Sequence, residues 1–141
     1  MAFEIKDPPE FTKDVTQWNR ETLADGVEMA KEIGKLLNND VYVKEQVDRL
    51  YSSPISVTLT ATGWTGSAAP YVQTAAAAGI LATDNPSLVS MLADGASEAV
   101  QKAYAKAFGI IASGTGSTGD GTATFKVYKK PATDITVGLK L

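Results

Sequence analysis

The hydrophobic period of this chain changes at Pro54, from helical to extended, and that change limits what it can fold into. On the N-terminal side Leu23, Val27, Ala30, Ile33 and Leu37 recur at three- and four-residue steps, which is one face of an amphipathic helix. Val43, Val47 and Leu50 continue the apolar seam to the stop at Pro54, while Asn38-Asn39-Asp40 between them carry side-chain oxygens able to cap a new start. Two helices or one broken helix fit the segment equally, with helical residues predicted from about 18 to 52. Opposite charges at Glu28/Lys31 and Glu32/Lys35 support the helix by about 0.2–0.5 kcal/mol a pair. Gly26 and Gly34 oppose it by about 1 kcal/mol each, so the helix needs a partner. That partner is either its own domain or copies of itself. The run Leu23, Val27, Ala30, Gly34, Leu37, Val41 resembles alternating a and d positions of a coiled coil. Leu23, Val27, Ala30, Leu37, Val47 and Leu50 are the candidate oligomerisation residues. Ahead of them residues 1–17 show no clear period, and Asp7-Pro8-Pro9 enforces extended backbone.

Beyond Pro54 the period is two. Ile55, Val57, Leu59 and Ala61 alternate with Ser56, Thr58 and Thr60, as in a strand with one buried face. Gly63-Trp64-Thr65-Gly66 breaks that strand, a second runs from Tyr71 to about Ala77, and a short third spans Leu88 to Leu92. Val100, Ala103, Tyr104, Ala107 and Phe108 then form a helical stripe over about 96–108, with Gly109 placed as its left-handed C-terminal residue. Ile110-Ile111-Ala112 reads as a brief strand and residues 114–121 as a flexible reversal. Ala123, Phe125 and Val127 share one face of the next strand, and Ile135, Val137, Leu139 and Leu141 alternate to the last residue, which predicts a C-terminus tied into the sheet. The expected fold class is α+β: an N-terminal helical segment, residues 1–53, serving attachment or oligomerisation, followed by an antiparallel β domain, residues 54–141, with one packed helix.

Composition excludes more than it assigns. The 141 residues are 44% hydrophobic and 21% charged, values of an ordinary globular chain. Cysteine is absent, which removes disulfides, thiolate zinc sites and a cysteine nucleophile. Histidine is absent too, and with it the commonest general base near neutral pH and the commonest transition-metal ligand. The expectation is a chain that is no enzyme and takes no cofactor and no metal. A net charge of −3 lacks the basic footprint of a nucleic-acid partner. No run approaches the roughly 18 apolar residues of membrane insertion, and Met1-Ala2-Phe3-Glu4 lacks the opening of a secretion signal. Glycines from Gly114 to Gly121 invite a phosphate-loop reading, but the Gly-Lys-Ser/Thr ending is missing and the loop joins two strands, so a hairpin turn is expected. Asp94, Asp120 and Asp134 lack the spacing of a calcium loop and read as turn and capping residues. Lys126, Lys129 and Lys130 read as a solvated edge that deters strand-to-strand aggregation.

The stretches "TATGWTGSAAPYVQTAAAAGI", "TDNPSLVSML" and "KPATDITVGLKL" resemble a domain of tail-associated structural proteins in phages and prophages of Gram-positive bacteria. The matching residues are Trp64, Gly66, Ala69, Pro70, Tyr71, Gln73, Thr74 and Gly79, then Asp84, Pro86, Tyr104, Pro131, Asp134, Ile135 and Val137, across about residues 55–141. Ala75-Ala76-Ala77-Ala78 departs from that pattern, where relatives alternate valine with small polar residues. The resemblance implies a virion structural protein: a tail fibre or baseplate module mediating assembly and display at the host surface. It also implies a chain made in the host cytoplasm and placed on the tail or, as the alternative, on the capsid surface as a head fibre. Its implied partners are other virion proteins and itself, as a homotrimer in the manner of phage fibres. A second implied role is a receptor-recognition head for a host cell-surface glycan, with Trp64, Tyr71 or Tyr128 stacking on sugar rings or contacting another subunit.

Overall fold

In a computed structural model of the protein, residues 3–19, 21 and 25–141 are described. The chain divides into two units, the first ending at Tyr51 and the second running from Ser52 to Leu141. Helix and antiparallel sheet occur in the expected order, making the chain α+β.

Helix α1 (Gly26–Tyr51) is the one regular element described in the first unit. Asp25 opens it: its Oδ1 accepts the Val27 N–H at 2.7 Å and its carbonyl accepts the Met29 N–H at 2.9 Å. Expected ion pairs form between Lys31 and Glu28 and between Lys35 and Glu32. The helix passes through Asn38-Asn39-Asp40 without a break, and the described residues before Gly26 are not helical, so the predicted start near residue 18 is corrected to Gly26. Leu23 lies outside the described residues.

An extended arm runs antiparallel along α1, and the helix side chains hold its backbone. The Lys6 N–H donates to Asn38 Oδ1 at 2.7 Å. Asn39 grips Thr12 twice, accepting its N–H at 2.7 Å and donating Nδ2–H to its carbonyl at 2.8 Å. Glu32 accepts both the N–H and the hydroxyl of Thr16 at 3.0 Å, and Lys35 Nζ donates to the Asp14 carbonyl. Phe11 packs at an angle on Tyr42, centroids 5.8 Å apart. Asn38 and Asn39 do not start a second helix because their amides are committed to the arm, with Asn38 Nδ2 returning to the Gly34 carbonyl one turn back. Arm groups that would otherwise need water or a strand partner are satisfied this way.

The second unit holds two three-stranded antiparallel sheets. Its elements are β1 (Ile55–Leu59), β2 (Tyr71–Ala76), β3 (Ser87–Ser90), α2 (Glu98–Ala112), β4 (Thr115–Gly119), β5 (Thr122–Val127) and β6 (Ile135–Lys140). One sheet has the order β1-β6-β3 and the other β2-β5-β4. Val57 and Leu59 of β1, Ala123, Phe125 and Val127 of β5, and Ile135, Val137 and Leu139 of β6 are all buried in one core, as their alternation predicts. The last strand is paired on both sides, with β1 and β3.

Helix α2 lies against the two central strands, β5 and β6. Ser97 caps its start, and it runs past Gly109 to a C-cap at Ser113. This corrects two expectations: Gly109 is not the helix end, and Ile110-Ile111-Ala112 is the last helical turn instead of a strand. Ile111 sits four residues beyond Ala107, and both are buried, so the inward stripe continues across the glycine. Val100 of the predicted stripe is exposed, and Phe108 is only half-buried, stacked on Tyr104 at 5.9 Å. The Tyr104 hydroxyl donates to the Thr136 carbonyl and accepts the Met91 N–H, tying α2 to β6 and to the end of β3. The presumed flexible reversal is mostly strand β4, and the reversal itself is Asp120-Gly121, where Gly121 has φ 70°.

Candidate interaction surface

The one aromatic residue of the "GWTG" loop, Trp64, lies inside the β unit and not at its rim. Trp64 is 5% exposed and belongs to the core, so it offers no face to a sugar. The local sequence explains this. A Cβ at Gly63 would stand 2.1 Å from Gln73 Nε2, so glycine lets the Gln73 amide lie on the chain and donate to Thr60 Oγ1. Thr65 and Val72 then exchange both backbone hydrogen bonds, at 2.8 and 3.0 Å, folding the loop back onto β2 with Trp64 beneath it. Trp64 Nε1 has no hydrogen-bond partner among the described residues. Tyr71 is half-buried, with Lys130 Nζ 4.6 Å over its ring, and the same ammonium donates to the Trp64 carbonyl. Tyr128 stands apart from them and is 73% exposed.

Several surface expectations change with the fold. Ala77 of the alanine run is buried and donates its N–H to the Gly121 carbonyl of the β4–β5 turn. Lys126 lies on β5, the central strand of its sheet, and so guards no edge. Asp120 and Asp134 accept the N–H groups of Ala82 and Ala61, the turn roles predicted for them. Among the described residues no three carboxylates gather into a group that could hold a metal ion. No described helix is long and apolar enough to cross a membrane.

The larger apolar surface is on α1. Met29, Ile33, Leu36, Val43, Val47 and Leu50 are all exposed, from 39% at Met29 to 57% at Leu50. They follow one another at steps of four and three, with Asp40 filling the one remaining place, so that Ile33, Asp40 and Val47 take a positions and Met29, Leu36, Val43 and Leu50 take d positions of a heptad. Of the candidate oligomerisation residues Val47 and Leu50 belong to this seam. Val27 and Ala30 are exposed on a neighbouring face, and Leu37 is half-buried there. In the sequence the seam is a four-three alternation from Met29 to Leu50 in which Asp40 is the one charged position. The run that starts at Leu23 steps onto the adjacent face and so diverts the period from it. The arm holds a third face through Glu32, Lys35, Asn38 and Asn39, leaving the heptad face exposed.

Glu32 fixes the arm electrostatically as well. Its carboxyl is held below the ordinary carboxylate range, first by the hydrogen bond from Lys35 and next by the Thr16 N–H. Comparison of the chain with protein-family models, with curated proteins and with solved structures finds no match in any of the three.

Proposed function

We propose that the chain is an assembly module of a phage virion, which associates with copies of itself through the heptad face of α1 and displays its β unit. The observation that carries the self-association is the exposed four-three seam. Such a stripe is complementary to another stripe of the same period, because each a or d side chain fits a hole between four residues of a facing helix. Each of these half-exposed side chains gains on the order of 1 kcal/mol by full burial, half the range for a wholly exposed one. Six on each of two helices thus offer roughly 12 kcal/mol, comparable with the ~4–15 kcal/mol that association costs, so every layer counts. β-branched Ile33 and Val47 at a with Leu36 and Leu50 at d favour two strands, whereas the resemblance to fibre proteins implies three.

The place in a virion rests on the sequence resemblance over about residues 55–141, and a tail fibre or baseplate is the reading adopted. The chain acts by binding and not by catalysis, with other virion proteins as its further partners. Immunogold labelling of intact virions with antibody to this chain tests the placement. Label on the tail is expected; label on the head assigns a capsid-attached fibre instead, and virions without label contradict a virion role.

A further inference from the structure

We propose that α1 pairs with α1 of a second copy in the antiparallel sense and in a single register. This rests on the self-association read from the exposed seam and adds its direction.

The flanks of the seam carry the argument. With Ile33, Asp40 and Val47 at a, the e positions are Ala30, Leu37, Lys44 and Tyr51, and the g positions are Glu32, Asn39 and Gln46. The e flank is apolar apart from Lys44, whose hydrocarbon stem lies readily along such surface, and its Tyr51 is 85% exposed. The g flank is wholly polar, and Glu32 and Asn39 are already committed to the arm at Thr16 and Thr12. Two parallel helices set each g position against an e position. Glu32 would meet the partner's Leu37, Asn39 the partner's Lys44 and Gln46 the partner's Tyr51, with no opposite-charge pair among them. Turning one helix round sets e against e and g against g. Apolar flank then covers apolar flank, and polar groups meet polar groups.

Direction also decides what Asp40 meets. Parallel pairing sets it against the partner's Asp40 in one layer, where two carboxylates leave water together. Antiparallel pairing sets a against d, and two registers fill the seam. In the first, Ile33, Leu36 and Asp40 face the partner's Leu50, the partner's Val47 and the partner's Val43, and the partner's Lys44 stands next to Asp40. In the second, Asp40 faces the partner's Leu36 beside the partner's Leu37, without a cation, and Leu50 reaches only the partner's Gly26. The first register is favoured twice: it covers Leu50, the most exposed side chain of the seam at 57%, and it gives Asp40 an opposite charge. Within its own helix Lys44 pairs with Asp48, but both side chains are mostly in water, so that contact yields at little cost. In this register Tyr51, where the first unit ends, stands level with the partner's Glu32 and about 28 Å along the axis from the partner's Tyr51. The two chains therefore leave the helix pair at opposite ends, as in a bridge, whereas a parallel pair releases both at one end.

A chain without cysteine allows disulfide trapping with no background. Full-length Leu36→Cys and Val47→Cys chains are unfolded together, refolded and equilibrated in a glutathione buffer. They should link to each other at least tenfold more than either links to itself, because like positions lie about 16 Å apart along the axis, too far for a disulfide. Ile33→Cys with Leu50→Cys should repeat the pattern, which guards against one substitution that fails to fold. Val47→Cys chains that link readily to themselves overturn the antiparallel direction while self-association stands. Linking without preference, or in neither mixture, overturns the proposal as well. A parent chain of monomer mass by light scattering in the same buffer overturns the self-association and this pairing together.

Discussion

The amide of Asn39 both donates to and accepts from Thr12, replacing a length of β ladder with one side chain. Glu32 does the same with charge, accepting from the Thr16 N–H and hydroxyl. Because its folded carboxyl titrates below its unfolded value, the arm contact is fully present above the ordinary carboxylate range and is lost as pH falls through the lowered value. Hydrogen exchange at the Thr16 N–H, corrected for its intrinsic pH dependence, should lose protection on acidification before that at Thr12, which uncharged Asn39 holds. Protection at Thr16 that persists after the Glu32 carboxyl itself has been protonated, followed by its carboxyl carbon shift, would contradict this role. In the β unit Phe125 is 6% exposed and Phe108 half-buried. Phe125→Ala should therefore cost about 3–5 kcal/mol and Phe108→Ala about 1–3 kcal/mol. Urea unfolding read from Trp64 in a Trp18→Phe background measures both, and equal costs would reverse the assigned burial. Core residues such as Val57, Phe125 and Val137 were legible from period two alone, since a strand with one buried face repeats its environment every second residue. Trp64 was not. Its burial depends on a hydrogen-bonded loop closed by Thr65 and Val72 and on the space left by Gly63, and neither has a periodic signature.

At the scale of elements, the sheets followed their alternation closely, while the helices departed from expectation where polar residues or glycine interrupted the pattern. Gly109 and Asn38-Asn39-Asp40 are stop signals on local propensity, yet packing at Ile111 and the grip on the arm carry both helices through them. The arm itself was unreadable because its partners are side chains 16 to 32 residues away. On α1 Asp40 stands at an a position among apolar neighbours, where a carboxylate buried by association would cost stability. Asp40→Ile should consequently raise the thermal midpoint of the helical signal at 222 nm, corresponding to about 2 kcal/mol per chain, and make it more concentration-dependent. A midpoint unchanged or lowered would place that face in solvent.

For the whole molecule, the division into a helix-and-arm unit and a two-sheet unit is consistent with the two tasks proposed for it, joining copies and presenting a surface. The first unit exposes Ile33, Leu36, Val43 and Val47 along one line, and the second buries its own apolar strands. The proposed self-association therefore rests on α1 and not on the sheets. Multi-angle light scattering on the full chain at micromolar concentration, beside Ile33→Asp and Leu37→Asp, tests this most directly. The expected mass is two or three times that of one chain, with collapse to one chain for Ile33→Asp at the centre of an a layer and little change for Leu37→Asp on the neighbouring face. A parent chain of monomer mass, or an oligomer that Leu37→Asp dissolves and Ile33→Asp leaves whole, would contradict it.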